Sequence, residues 1–141
     1  MSDTPKLLIY GTAPLLQVFD MPTSVVFYRD ILGFEVTMQS EPERGDDSNW
    51  LLMKMQDIEL MLNTAYERAN RPAEPDPARM KWHHDTTLYF GCPDISALYV
   101  LFLSRGATLN SPVITQYNFR AIYLTDPDGY QLCFHWPVEE K

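Results

Sequence analysis

The sequence contains two stretches that share one layout, and this internal repeat constrains the fold more than any other feature. In the first stretch Asp20 precedes an apolar segment with helical periodicity that ends at Gly33; in the second, Asp94 and Gly106 enclose a similar segment. The acid and the glycine are 13 positions apart in one copy (20 to 33) and 12 in the other (94 to 106). A repeat of this size predicts two equal modules that bury their faces together, with space between them for a ligand.

Each repeated segment carries the signals of a helix. Asp20 can accept a hydrogen bond as an N-cap, and Pro22 falls in the first turn, where no intrahelical donor is lost. Gly33 is a typical helix-ending residue. The second helix has the apolar spacing of an amphipathic helix at Ile95, Leu98, Tyr99, Phe102 and Leu103.

Strand-like runs surround both predicted helices. They cover residues 7–18, 34–39, 50–55 and 58–63 around the first helix, and residues 86–92, 107–109, 120–125 and 131–136 around the second. The run Asp126-Pro127-Asp128-Gly129 predicts a tight turn before the last strand. The predicted fold is therefore α+β, with two βαβββ modules in one chain and curved mixed sheets around a cavity.

The predicted modules cover residues 1–63 and 86–141, and the segment between them has a different composition. Residues 64–85 contain Pro72, Pro75 and Pro77 among many charged side chains. Such a composition predicts an exposed connector rather than a packed element.

Composition narrows the classes of partner. The net charge of -8 argues against nucleic acid and anionic membranes, because phosphate binding needs clustered Lys and Arg. It is compatible with a cationic small ligand. The beginning of the sequence lacks the layout of a secretion signal, no stretch is apolar enough to cross a membrane, and the two cysteines, Cys92 and Cys133, do not resemble a disulfide framework. These features predict a cytoplasmic protein.

Strand alternation separates the side chains that face the helices from those on the opposite, second face. The second face mixes polar, aromatic and sulfur side chains with few charges, which favours a pocket over a solvated surface. Tyr117 and Arg120 precede the last hairpin, and Trp50 could supply an aromatic wall. The predicted ligand-binding residues are Gln17, Trp50, Glu59, Met61, Thr87, Tyr89, Tyr117, Arg120, Cys133 and His135.

Two of these residues have more than one interpretation. An enclosed Glu59 could hold a cationic ligand or act as a general base, and it could also be an ordinary strand residue paired with an arginine. Arg120 could bind an anionic group in a bidentate manner, but a salt bridge to Asp126 or Asp128 is the favoured interpretation.

Three stretches resemble the glyoxalase/bleomycin-resistance/extradiol-dioxygenase group, the vicinal oxygen chelate superfamily. They are residues 24–34, residues 117–123 and residues 126–130. The resemblance implies metal ligands on the first and last strand of each module, at positions that correspond here to Ala13, Glu59, Thr87 and Cys133. It also implies a homodimer. Alanine cannot bind a metal and threonine is a poor ligand, so this set falls short of the three or four protein groups such ions need.

The preferred interpretation is a metal-independent small-molecule binding protein that resembles bleomycin-resistance proteins, with a cationic or aromatic ligand in the cavity between the modules. No cofactor is predicted, although a divalent metal is not excluded. One alternative is a glyoxalase- or dioxygenase-like metalloenzyme with a rearranged ligand set, drawn from Glu59, Cys133, His135 and a connector histidine. Another is a metal-free lyase or isomerase that uses Glu59 as its base.

Overall fold

A computed structural model of the chain describes residues 6–139, which contain two four-stranded sheets. The first sheet consists of β1 (Leu15–Val18), β2 (Glu35–Gln39), β3 (Trp50–Met55) and β4 (Ile58–Thr64). The second consists of β5 (Thr87–Gly91), β6 (Val113–Ile114), β7 (Phe119–Thr125) and β8 (Gln131–Pro137). The strand orders, β1-β4-β3-β2 and β5-β8-β7-β6, are equivalent, and in each sheet the outer pair that includes the first strand is parallel. The predicted α+β fold of two βαβββ modules is confirmed.

The helices begin where the acidic caps predict. In α1 (Met21–Val25) the Asp20 carboxylate accepts a hydrogen bond from Thr23 N at 3.1 Å, and the helix continues as π-helical turns over Val26–Ile31. The longer α3 (Ile95–Ser104) has Asp94 as its cap. Short 3₁₀ turns lie at Pro42–Asp47 and Arg68–Asn70. Within residues 6–139 no helix has the length and apolar character that a membrane crossing requires.

Two predicted strands are wrong in extent or place. The strand expected over residues 7–18 begins only at Leu15, and the strand expected over residues 107–109 is absent from the described part of the chain. Ala107 N donates instead to Phe102 O at the end of α3, and Ala107 and Leu109 pack against the core. These residues are apolar because they cover the core, and the strand itself follows later, as β6.

The connector is also more ordered than its composition predicts. It contains α2 (Pro77–His83), which is capped by Asp76. The His83 ring stacks on the Tyr130 ring at 4.0 Å, and His83 Nδ1 lies 2.7 Å from Asp128 O. Gly129 has φ +90°, and a Cβ there would collide with the backbone of Met80. The glycine therefore permits both the turn and the close approach of α2.

One hydrophobic core joins the two halves. The inward residues of both sheets and the apolar stripes of α1 and α3 form a single cluster, in which Phe34 meets Phe90 edge-on at 6.4 Å between ring centroids. At its margin, the Arg105 guanidinium donates to Ile31 O at 2.9 Å. The helix-facing sides of the two sheets are therefore covered by the helices and by this shared core.

Two buried carboxyl groups in the turn before β8 bind the first half of the chain to the second. Asp126 accepts the Tyr28 hydroxyl at 2.6 Å and the backbone N–H groups of its own turn at 2.8 and 2.9 Å. Asp128 accepts Phe19 N at 2.7 Å and the Ser24 hydroxyl at 3.2 Å. Unpaired carboxylates are costly to bury, so these bonds fix how α1 lies on the turn.

We expect Tyr28→Phe to lower the free energy of unfolding by about 1–3 kcal/mol, because it removes a donor from the buried carboxyl group of Asp126. Chemical denaturation measures the change. Tyr99→Phe is the matched control, since the Tyr99 hydroxyl shows no hydrogen bond within the part of the chain that is described. Equal effects of the two substitutions would contradict the structural role of this contact.

Burial raises the pKa of Asp126 to about 6, although hydrogen bonds from Tyr28 and the backbone favour the ionised form. Because this exceeds the unfolded value of about 3.9, the group contributes stability that is complete at acid pH and lost as pH rises through about 6. Asp126→Asn does not titrate. We expect the stability difference, wild type minus variant, to fall by roughly 2–3 kcal/mol from pH ~4 to pH ~7 in denaturation curves. A difference that grows with pH would contradict the assignment.

Candidate functional site

The outer face of the second sheet brings several predicted site residues together. On β8, Leu132 and Phe134 point into the core, so Cys133 and His135 project to the opposite face. The register places Tyr89 of β5 beside Cys133. On the other side of β8, Tyr123 pairs with Cys133, and Ala121 pairs with His135.

These side chains line a cavity of about 370 Å³, which is within the usual range for small-molecule sites. Its rim is the β6–β7 turn, where Asn118 adopts φ +66° and Phe119 N donates to the Thr115 hydroxyl at 3.2 Å. Asparagine tolerates this left-handed conformation better than most residues. The lining residues are Tyr89, Thr115, Gln116, Tyr117, Phe119, Ala121, Tyr123, Cys133 and His135.

Aromatic rings form most of the cavity wall. The Phe119 ring stacks on the His135 ring at 4.7 Å and 22°, and the Tyr89 ring leans against His135 at 5.1 Å. Tyr89, Tyr117 and Tyr123 remain exposed. Because exposed ring faces can stack on a planar guest, this wall is suited to an aromatic ligand.

The side chains that line the cavity carry little charge. None of the lining residues is Asp, Glu, Lys or Arg. Burial raises the pKa of the Cys133 thiol, although a hydrogen bond from Tyr123 acts to lower it. Burial also raises the pKa of the Tyr123 hydroxyl. A thiol with a raised pKa is a poor nucleophile, because the thiolate is the reactive form. The arrangement can stack and form hydrogen bonds with a ligand, and it lacks an activated sulfur nucleophile.

A second depression of about 320 Å³ adjoins the cavity, and Tyr89 lines both. Glu59 and Asp57 lie in this groove together with Thr12 and Pro14. Glu59 is not enclosed within the chain, because its side chain is exposed at the beginning of β4. Glu59 faces solvent next to the aromatic cavity rather than inside it.

The remaining predicted residues of the first half lie on the outer face of the first sheet. Gln17 and Met61 lie on neighbouring strands, and Gln17 Oε1 accepts a hydrogen bond from Asn63 at 3.3 Å. Trp50 is half-buried on β3. The two sheets do not close around the predicted common cavity, since their helix-facing sides share the core and the aromatic cavity is lined by the second half alone.

Thr87 and Arg120 lie outside the aromatic cavity. Thr87 is exposed at the beginning of β5, opposite Gln131. Arg120 projects to the other face of the second sheet, beside Trp136 and the beginning of α3. The predicted salt bridge from Arg120 to Asp126 or Asp128 is wrong, because those carboxyl groups bind the elements of the first half described above.

The metal positions implied by the family resemblance do not fit a metal ion. Ala13 has no ligand atom, Thr87 is a weak ligand, and the raised pKa of Cys133 disfavours the thiolate that would bind. Glu59 is the remaining carboxylate. Across residues 6–139, no group of three or more His, Cys, Asp and Glu side chains is arranged to hold an ion.

Five lining residues were not predicted as site residues: Thr115, Gln116, Phe119, Ala121 and Tyr123. Three of them alternate along β7 and face the same way as Cys133 and His135. Strand alternation applied to residues 119–123 could therefore have identified these three. Thr115 and Gln116 belong to a turn, where periodicity gives no signal.

The protein-family model of the Glyoxalase/Bleomycin resistance protein/Dioxygenase superfamily matches residues 12–134 of this chain. No curated protein matches the chain. Among solved structures, a glyoxalase/bleomycin resistance protein/dioxygenase from Nocardioides is 19% identical, with a TM-score of 0.68, and the match covers 96% of this chain and 89% of that one.

Two ligand-binding proteins share the same fold. A bleomycin-binding protein in complex with bleomycin is 19% identical with a TM-score of 0.66, and the match covers 93% of this chain and all (100%) of that chain. TnmS3, an antibiotic binding protein from Streptomyces sp. CB03234, is 18% identical with a TM-score of 0.65, over 94% of this chain and 100% of that chain. At such identities the likeness shows the fold.

Proposed function

The chain belongs to the glyoxalase/bleomycin resistance protein/dioxygenase superfamily, and from this premise we propose that it binds an aromatic small molecule without a metal. The ligand site is the aromatic cavity on the outer face of the second sheet. Proteins of this fold that bind bleomycin and another antibiotic support a binding role.

The observation that carries the proposal is the composition of the cavity wall. Five of its lining side chains are aromatic if His135 is counted with Tyr89, Tyr117, Phe119 and Tyr123, and none is an acid, Lys or Arg. Thr115 and Gln116 add a few polar groups at the rim. Apolar walls with a small number of polar groups are typical of small-molecule sites.

Metal independence rests on the donor atoms at the family's ligand positions. The positions occupied by Ala13, Thr87 and Cys133 offer no carboxylate or imidazole, and the neutral form of the Cys133 thiol is favoured. A lone exposed Glu59 cannot supply the three or four ligands that such an ion needs. A cationic substituent on the ligand would instead find Glu59 in the groove next to Tyr89.

The proposal includes a homodimer. The outer face of the first sheet carries Leu15, which is 42% exposed, with the half-buried Trp50, Leu52 and Met61. A second copy could cover this face and the aromatic cavity together, which would bring Gln17, Trp50 and Met61 close to the ligand. The cytoplasmic location remains a prediction from the sequence.

The aromatic wall can be tested with aminoanthracene, a planar fluorescent amine that is neutral at neutral pH. We expect Tyr117→Ala to weaken binding by roughly fivefold, the equivalent of about 1 kcal/mol for one lost aromatic contact. Tyr117 is 76% exposed, so the substitution should leave the melting temperature unchanged. Trp82→Ala is the matched control, because Trp82 is 71% exposed on α2 and away from the cavity.

The titrations are made in EDTA and repeated after dialysis into Mn²⁺ or Zn²⁺. Equal affinities with and without metal are expected. Binding that requires the added ion would contradict metal independence, and equal losses in the Tyr117 and Trp82 variants would place the ligand elsewhere.

A further inference from the structure

A further cavity, of about 380 Å³, lies where the beginning of α1 meets the connector and the turn before β8. Its lining residues come from three separate stretches, residues 19–24, residues 71–75 and residues 127–128. It shares no lining residue with the aromatic cavity or with the groove beside Tyr89. Its volume is within the usual range for small-molecule sites. The aromatic ligand proposed above therefore leaves this cavity free.

The most enclosed polar groups of the cavity wall are Asp128 and Ser24, which are 3% and 0% exposed. Asp128 accepts Phe19 N with one carboxylate oxygen at 2.7 Å and the Ser24 hydroxyl with the other at 3.2 Å. A carboxylate can accept about four hydrogen bonds, so Asp128 keeps unused acceptor sites next to the cavity. The two existing bonds fix the orientation of the carboxyl group before any ligand binds.

The carboxyl groups of this turn have no cationic partner. Within residues 6–139, neither Asp126 nor Asp128 forms a salt bridge. Burial raises the pKa of Asp128, although two hydrogen bonds and the charges of Arg79 and His83 act to lower it. Buried charges are usually paired, and a cation in the cavity would supply the partner that the chain itself does not.

The rest of the wall combines negative charge with apolar surface. Asp20 is already balanced by Arg71, whose Nη2 lies 3.0 Å from Asp20 Oδ1. Glu74 is exposed and forms no salt bridge within the described part of the chain. The charges of the wall that remain unbalanced, those of Glu74 and Asp128, are therefore both negative. The apolar part of the wall consists of Phe19, Ala73, Pro75 and Pro127.

Arg71 shows that a cation is compatible with the apolar part of this wall. Its Cζ lies 4.3 Å from the centroid of the Phe19 ring, in cation–π geometry. The face of an aromatic ring attracts a positive charge electrostatically, whereas it repels an anion. Both the charged and the apolar parts of the cavity therefore favour a positively charged guest.

We propose that this cavity binds a small organic cation, with an ammonium or guanidinium group at Asp128 and a short apolar body against Pro75 and Pro127. The exposed Glu74 adds a weaker attraction from the entrance. A bare metal ion fits less well, because no group of three or more His, Cys, Asp and Glu side chains among residues 6–139 is arranged to hold one. The site is separate from the aromatic cavity and does not depend on the ligand proposed there.

Backbone amide NMR spectra of the full chain during titration with butylammonium test this site, with butanol as the neutral control. The aliphatic probe cannot stack on the rings of the aromatic cavity. We expect saturable shift changes at Phe19, Ser24 and Asp128 and in residues 71–74. Butanol should bind roughly tenfold more weakly, because it forms no charge-assisted hydrogen bond. Equal binding of butanol, changes centred on residues 115–123 or on Glu59, or no saturable change would overturn the proposal.

Substitutions at exposed positions test the wall without disturbing the buried hydrogen bonds. Ala73→Trp fills the cavity and should abolish butylammonium binding, and Glu74→Gln should weaken it roughly threefold, as the loss of one exposed ion pair does. The matched controls are Ala97→Trp on α3 and Glu35→Gln on β2, which are exposed outside the cavity and should bind as the wild type does. All four variants should keep the wild-type melting temperature. Wild-type affinity in Ala73→Trp, or equal losses in the Glu74 and Glu35 variants, would overturn the proposal.

Aminoanthracene titration of Ala73→Trp tests whether the two sites are separate. We expect unchanged affinity for aminoanthracene, because Ala73 does not line the aromatic cavity. Loss of aminoanthracene binding in this variant would show that both ligands use one site and would overturn the separate cation site. Butylammonium binding to a chain that binds no aminoanthracene would support the cation site and overturn the proposed aromatic ligand.

Discussion

The hydrogen bonds of Asp126 and Asp128 hold the two halves of the chain in one arrangement, and the remaining features depend on them. Both aspartates are 3% exposed, and their partners in the first half come from α1, from its π-helical continuation and from the residue after β1. A buried carboxyl group without donors is costly, so alternative placements of the first half are penalised. α2 packs on the same turn, where Gly129 leaves room for the backbone of α2 and His83 lies within hydrogen-bond distance of Asp128 O.

This arrangement decides which surfaces are left for function. Because the helix-facing sides of both sheets share one core, the outer faces and edges of the sheets are the surfaces that remain accessible. The second sheet uses its outer face for an aromatic cavity, and the first sheet presents apolar residues such as Leu15 and Trp50 on its outer face. We therefore place the ligand on the outer face of a sheet.

The sequence predicts the elements of this fold better than its cavity. Asp20, Asp94 and Gly33 mark the helix ends because caps act within a few residues. The first strand could not be delimited, since its pairing begins with Leu15 opposite Met61, in a distant part of the chain. Alternation places Cys133 and His135 on one face and Arg120 on the other, but the exposure of Glu59 depends on how the two sheets meet.

The central claim is that an aromatic ligand binds on the outer face of the second sheet without a metal. Backbone amide NMR spectra recorded in EDTA during titration with aminoanthracene test it most directly. We expect the largest shift changes at residues 115–123 of the β6–β7 region and at Cys133 and His135, with little change in α3. Changes centred on the opposite face, around residues 94–96 at the beginning of α3, or none without added metal, would contradict it.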